Sequence, residues 1–491
     1  MFQKTTPEKV GIRPENILRF LGKLEDRGLF MHSVLMARGN DIFCEAYWSP
    51  FTADSPHRMY SATKSFVGVA VCELAAEKRI SLDDKIIRYF PDKLPVCVHP
   101  FLAAMTIRNM LAMQTCMPCR NWFVQDVSDR VEHYFHLAPV RYPGTGFEYD
   151  SEGSFVLGAL VERVTGKTLL AYLREKCLDE IGFSKEAYCL KAPGGHTWGD
   201  SALLCTPRDL LAFGRLVANG GEWNGRQLLD AEMLAQAVAK QSDTVSAGLL
   251  TDCNRGYGYQ IWNCFDGSFA FEGMHDQLML YHPKTDILFV CTGGNPHGLS
   301  CSLILEYLFA DIIEGACEPS EKIREESRAL ERYLSGLSLR VAQGQETSPF
   351  EKEIDGKTYT VKENRMGITE FTLRFDKTGG SFTYYNKQGE KAIRFGRKTN
   401  VIQPFPQTGY SKEIGSKPCD GHTYRCAASA AWAENRKLSI LVQVIDDYIG
   451  LLNVIIGFQD GYALLDMRKC AENFLDEYQG SAVAGQSEEI L

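Results

Sequence analysis

Nowhere in the 491 residues is there a block of lysine and arginine, although 53 residues are basic and 62 acidic. The net charge of −9 is spread along the chain, so nucleic acid is not an expected partner. No window holds the roughly 18 apolar residues that a membrane span needs, and no membrane partner is expected. The N-terminal stretch MFQKTTPEKVGIRPENILRF lacks an apolar run after a basic start, so no signal peptide is expected. No second CxxC accompanies Cys116 and Cys119 in QTCMPCRNW. Zinc normally needs a second ligand pair, and a redox CxxC sits in a different strand-helix context, so these two read as plain thiols. The sixteen cysteines read as reduced small hydrophobes, and the cytoplasm is the expected compartment. Metal-ligand spacing near the candidate site and a glycine-rich phosphate loop are also missing, so neither a metal nor another cofactor is expected.

What is present is globular composition, 45% apolar and 23% charged, in a chain too long for one ordinary core. RPENILRFLGKLEDRG has apolar residues at helical spacing. HSVLMARGNDIFCEAYW alternates and turns at Gly39-Asn40, a hairpin signal. MTIRNMLAMQT reads as a short helix with Thr106 as N-cap. A long amphipathic helix before Gly166 and another after Thr206-Pro207 follow. Residues 257–295 turn β-rich, with a turn at 283–286. Residues 316–345 are polar, and after about 348 short alternating strands predominate, as in an all-β barrel or sandwich. The expected division is 1–318 for the first domain, 319–347 for a helix and linker, 348–482 for the β domain and 483–491 for a tail.

The chemistry concentrates in RMYSATKSFVGVAVCELAAEKRISLDDKI, where Ser61 precedes Lys64 by three residues. One helical turn places them on the same face with adjacent side chains. The start of a helix supplies free N–H groups and a positive dipole end, which favour an oxygen developing negative charge. A serine is a poor nucleophile without a base. Lys64 fills that part only with a lowered pKa; otherwise it stays charged and lowers the pKa of a third group. Taken alone, a Ser-x-x-Lys spacing is a weak signal, since a solvated helix face explains most matches.

The surroundings make it specific. PHRMYSATKSFVGVAVCELAAEKRISLDDKIIRYFPD resembles the nucleophile segment of the β-lactamase-related serine hydrolases, which include class C β-lactamases, D-stereospecific peptidases and family VIII esterases. MTIRNMLAMQT, PGTGFEYDSEGSFVLGALVERVTGKTL, TPRDLLAFGRLVANGGEWNGRQLL and YGYQIW resemble further segments in the family's order, over residues 1–315 or so. The resemblance implies an α/β (α+β) fold: an antiparallel sheet with helices on one face, a helical subdomain and the site between them. It implies catalytic roles for Ser61, Lys64 and Tyr149, with Tyr149 exchanging the serine proton. Ser151 stands where the family has asparagine, and a serine reaches less far. The family's Lys-Thr-Gly or His-x-Gly triplet is absent; the matching strand lies in DGSFAFEGMHDQLMLYHPKTDILFV. Phe271 or a neighbour such as Gly273 would lend the second oxyanion N–H, and His275 and Asp276 would line the pocket.

Residues 348–480 resemble the lipocalin-like β domain found after some family members, mostly through AAWAENRKLSILVQVIDDYIGLLNVIIGFQDGYALLDMRKCAENFLDEYQG. The function expected is acyl transfer to Ser61 and hydrolysis of a small ester, amide or D-amino-acid peptide, by a protein that is free to form a homo-oligomer. The two departures from the family pattern put β-lactam hydrolysis in more doubt than ester hydrolysis. They also motivate the rival reading, a catalytically silent ligand-binding homologue.

Overall fold

The computed structural model describes residues 2–119, 127–244, 255–296, 299–315, 321–411, 415, 418–470 and 475–486. The chain divides into two compact units, Met1–Ser338 with Lys412–Ser416, and Leu339–Ser411 with Lys417–Leu491. The end of the expected tail, 487–491, lies outside the described residues.

The first unit is built on eight strands: β1 (Gln3–Lys4), β2 (Met31–Arg38), β3 (Asp41–Tyr47), β4 (Gly256–Tyr257), β5 (Trp262–Asn263), β6 (Phe269–Gly273), β7 (Gln277–His282) and β8 (Ile287–Gly293). Their order across the sheet is β1-β3-β2-β8-β7-β6-β5-β4. Neighbours are antiparallel except at one edge, where β1 runs parallel to β3. The hairpin at Gly39-Asn40 forms as expected, with Gly39 at φ +56° where a side chain would be strained. The chain reverses again between His282 and Ile287, with Asp286 at φ +53°.

The helices that bear on the site are α1 (Pro14–Asp26), α2 (Thr63–Ala76), α3 (Ile107–Leu111), α4 (Ser151–Thr165), α5 (Pro207–Ala218), α6 (Ser300–Leu308) and α7 (Ile323–Ser335). Their ends follow local chemistry. The Thr106 hydroxyl accepts the Asn109 N–H ahead of α3, Thr206 does the same for Asp209 ahead of α5, and Gly166 ends α4 at φ +72°.

Helices cover both faces of the sheet, which corrects the expectation of one. Met279 pairs with Phe271 on one side and Val290 on the other. A methyl added at Gly214 of α5 would meet Met279 Sδ at 2.8 Å, so this row faces α5. The alternate row, Leu280 with Phe289, faces α1, where Phe20 meets Phe289 edge-on at 5.9 Å. Strand period two fixes the rest. Both faces being covered explains why β2 and β8 read as nearly unbroken apolar runs rather than alternating ones.

In the second unit ten strands follow one another: β9 (Thr358–Val361), β10 (Glu370–Phe375), β11 (Gly379–Asn386), β12 (Gly389–Arg397), β13 (Val401–Tyr410), β14 (Pro418–Glu434), β15 (Lys437–Ile445), β16 (Ile449–Gln459), β17 (Tyr462–Cys470) and β18 (Gly480–Gln486). The order is β12-β11-β10-β9-β18-β17-β16-β15-β14-β13, and β12 also pairs with β14. That short parallel contact, Gly396 with Ser429 and Arg397 with Ala430, closes a nine-strand barrel and leaves β13 outside it. Trp432, Leu438 and Ile440 are core residues as expected, and Trp432 Nε1 donates to Glu351 Oε1 at 2.7 Å.

Candidate active site

Helix α2 is buried on almost every side from Thr63 to Leu74. A helix that is apolar all round belongs in a core, so the basic side chain within it stands out. Lys64 is 1% exposed. Its Nζ donates to Ser61 Oγ at 2.8 Å and to the Asp200 carbonyl at 2.8 Å. The ammonium also lies 5.0 Å from the centre of the Tyr149 ring. Ser61, Lys64 and Tyr149 are thus brought together, Ser61 and Tyr149 half-buried and Lys64 fully so.

A buried cation needs opposite charge nearby. Asp150 and Asp200 supply it; each is 1% exposed, and each feels Lys64. Burial pushes both carboxyls up, and Lys64 opposes that shift. Asp150 is also the N-cap of α4, accepting from Gly153 N–H at 2.8 Å, Thr115 Oγ1 at 2.7 Å and Tyr134 OH at 3.1 Å. The charge beside Ser151 is therefore anchored inside the fold. Ser151 itself is the first residue of α4, half-buried.

The turn carrying Ser61 is held from behind. Met59 N–H donates to Leu203 O at 2.8 Å. Tyr60 adopts φ +45°, unusual for a bulky residue, and such positions persist only where their surroundings fix them. The Arg58 guanidinium covers the Tyr60 ring at 4.6 Å and the Trp198 ring at 4.8 Å, and Arg58 Nε donates to Ser201 O at 2.9 Å. The His275 ring meets Tyr60 edge-on at 5.3 Å, and its Nδ1–H donates to Asn295 O at 2.7 Å. Behind these, His32 and His57 share a 2.8 Å hydrogen bond; burial lowers both, His57 to about 4.

Strand β6 closes the opposite side. A methyl group at Gly273 would sit 2.2 Å from Met59 O and 3.2 Å from Ala62 N. Gly273 is therefore pressed against the Ser61 turn, and glycine is the residue that permits it. The Phe271 ring packs on Phe213 at 6.0 Å, and Phe213 stacks on Phe66 of α2 at 3.9 Å. The hairpin from β6 to β7 turns through His275 at φ +64° and Asp276 at φ +65°, both buried.

Several residues of the site carried no motif. Trp262 stacks on Tyr149 at 5.6 Å and meets Tyr257 edge-on at 4.7 Å, giving the site an aromatic wall. Both lie in YGYQIW, so their segment was visible and their role was not. Gln260, in the same segment, is 1% exposed at φ +63°. Its carbonyl accepts from Ser65 Oγ of α2 at 2.8 Å, and its amide accepts from Ser154 Oγ of α4 at 2.6 Å and donates to Leu111 O of α3 at 3.0 Å. The Asp200 carbonyl had no signal at all, because any residue could supply it. The CxxC thiols are not activated: burial pushes Cys116 up to about 12 and raises Cys119 further.

Glu272, between Phe271 and Gly273, is half-buried, and desolvation pushes its carboxyl up to about 7, with the Asp276 charge adding to the shift. Such a carboxyl holds its proton more tightly folded than unfolded. Its contribution to stability is full below the ordinary value near 4.5 and is lost as pH rises through about 7. Glu272→Gln is expected to melt above the parent chain at pH 8 and not at pH 5. Thermal melts across that range check it, and parallel curves for the two proteins would contradict a desolvated carboxyl.

The family model for beta-lactamase matches residues 23–293. The 6-aminohexanoate-dimer hydrolase of Paenarthrobacter ureafaciens is 24% identical over 331 residues, 61% of this chain and 84% of that protein. Esterase EstB of Burkholderia gladioli is 30% identical over 158 residues, 28% of this chain and 40% of its own length. Among solved structures, EstCE1, described as a hydrolase with promiscuous acyltransferase activity, superposes with a TM-score of 0.50 at 14% identity, over 60% of this chain and 98% of that one. With the matched segment spanning over half the chain and enclosing the Ser61 turn, α4 and β6, the protein belongs to the beta-lactamase family and is a serine hydrolase.

Proposed function

We propose that the chain hydrolyses a small ester or amide through an acyl-enzyme on Ser61. The observation that carries this is the 2.8 Å hydrogen bond from Lys64 Nζ to Ser61 Oγ at the start of a buried helix. Asp150 and Asp200 both interact with Lys64, and in this reading the lysine serves as the cation beside Ser61 rather than as the proton acceptor. Tyr149 takes that part, its phenolate stabilised by the neighbouring charge. Serine Oγ bonds to the substrate carbonyl carbon while its proton passes to Tyr149. The carbonyl oxygen becomes an oxyanion facing the Ser61 N–H and the backbone at Gly273. Tyr149 then protonates the leaving alcohol or amine as its bond to carbon breaks. Water repeats the sequence on the acyl-enzyme, releasing the acid and restoring Ser61. The proton relay is assigned to Lys64 and Tyr149 together.

Free thiols such as Cys72, Cys177, Cys205 and Cys291, all buried, support a reducing compartment, and we place the enzyme in the cytoplasm. Among the described residues no helix is long and apolar enough to cross a membrane.

The test is intact-protein mass spectrometry after exposure to a fluorophosphonate, with p-nitrophenyl butyrate turnover followed in parallel. A single adduct that maps to Ser61, with turnover, is expected. A folded protein that neither labels nor turns over would be a ligand-binding homologue instead.

A further inference from the structure

Ser61 and Lys64 are three residues apart at the start of one helix, so the chain itself fixes their spacing. Tyr149 has no such tie. It comes from a separate stretch just ahead of α4 and is half-buried. The Lys64 ammonium gives its hydrogen bonds to Ser61 Oγ and the Asp200 carbonyl, and it meets Tyr149 through the ring, at 5.0 Å. A proton acceptor has to stay within hydrogen-bond reach of the group it serves, so something else must hold the phenol in place.

Packing on Trp262 does so. The indole lies nearly parallel to the Tyr149 ring, with centres 5.6 Å apart and planes 10° from each other, within the favoured range for offset stacking. The same indole meets Phe147, two residues earlier, at 5.9 Å. Tyr257 braces the group: its ring meets Trp262 at 4.7 Å, Phe147 at 5.4 Å and Tyr149 at 6.4 Å. Phe147, Tyr257 and Trp262 are buried, and Tyr149 is the half-buried member of the four. Three fixed rings thus set the plane of the fourth.

The sheet in turn fixes the indole. Trp262 pairs with Tyr257 of β4 on one side and with Ala270 of β6 on the other. Ala270 stands three residues before Gly273, where β6 presses on the Ser61 turn. One strand therefore carries both the contact that fixes the nucleophile turn and the pairing that fixes Trp262. Trp262 is 8% exposed, so its ring has little surface left with which to touch a ligand.

We propose that Trp262 is a positioning residue of the reaction, its indole plane holding the Tyr149 ring so that the phenol stays in proton-transfer reach of Ser61. The inference rests on the acyl-enzyme reading above and adds to it the residue that orients the tyrosine. Trp262 acts through Tyr149 and does not touch the reacting atoms.

Trp262→Leu keeps an apolar side chain and removes the plane, whereas Trp262→Phe keeps a plane; thermal melts show that each is folded. Trp262→Met carries the comparison should Trp262→Leu not fold, and is read in the same way. With p-nitrophenyl butyrate, kcat should fall about 10–100-fold in Trp262→Leu while KM stays within about twofold. Labelling of Ser61 by the fluorophosphonate should slow by the same factor, and Trp262→Phe should recover most of the loss. A double-mutant cycle identifies the route: in a Tyr149→Phe background, Trp262→Leu should change the labelling rate by less than about threefold, because no phenol remains to be placed. An equal factor in both backgrounds would overturn the proposal and leave the indole as core packing. A raised KM with kcat kept would also overturn it, since the indole would then serve the substrate, and so would parent-like activity in Trp262→Leu. Parent-like activity in Tyr149→Phe would instead overturn the part given to the tyrosine, and a folded parent chain that neither labels nor turns over would overturn the hydrolase reading; either takes the role of Trp262 with it.

Discussion

Lys64→Met should lower kcat/KM for p-nitrophenyl butyrate by about 10²–10⁴-fold, the span that positioned proton transfer commonly contributes. The side chain volume is nearly kept, so the helix should survive, and the variant isolates the charge. Two effects combine in the loss. The 2.8 Å bond that orients Ser61 Oγ disappears, and Tyr149 loses the cation 5.0 Å from its ring. Without that cation the proton is harder to move from Ser61, so activity remaining in the variant should depend more steeply on pH than that of the parent chain. Asp150 and Asp200 would be left without their counter-charge, so the variant should also melt lower at pH 8 than at pH 5. Ser61→Ala should fall further still, with no adduct from the fluorophosphonate. Full activity in Lys64→Met would remove the lysine from the mechanism. Steady-state kinetics across pH and a thermal melt decide the matter.

Gly273→Ala should cost about 10²-fold in kcat, although no functional group is removed. The added methyl would fall 2.2 Å from Met59 O and 3.2 Å from Ala62 N, both backbone atoms of the nucleophile turn. Something must move, and the turn or β6 has to give way. A shift of about 1 Å in reacting groups is enough for a hundredfold loss. The stability cost should be about 1–3 kcal/mol, the usual range for overpacking. Kinetic and stability effects should therefore separate: near-native circular dichroism and a modest fall in melting temperature, with slow labelling of Ser61. Unchanged kcat would mean that β6 does not help to place the serine.

How much of this was legible before the structure depended on whether position or side chain did the work. Ser61, Lys64 and Tyr149 could be picked out because the proposed chemistry needs those residue types, and a motif preserves types. The caps at Thr106 and Thr206 and the stop at Gly166 were legible for the same reason. The Asp200 carbonyl was not, since a backbone oxygen leaves no residue signature. Gly273 could be named only as one of several neighbours, because strand register decides which residue meets the turn. The two-faced helix cover was misread for a related reason. Apolar runs in β2 and β8 carry the signal for burial on both sides, but nothing in them says which helix lies where. Glu272 lay hidden between Phe271 and Gly273, and only alternation about the observed register turns it to the other face.

Gln260 carries a consequence for how the site opens and closes. One side chain and its own carbonyl tie α2, which bears Lys64, to α4, which follows Tyr149, and to the end of α3. Breaking any of these contacts strands a buried polar group, so the three helices have little reason to loosen separately. Their amide protons should exchange with solvent as one cooperative block, at a common free energy. Nucleophile and tyrosine would then be lost and regained together, and a partly open molecule would hold no half-assembled centre able to acylate at random.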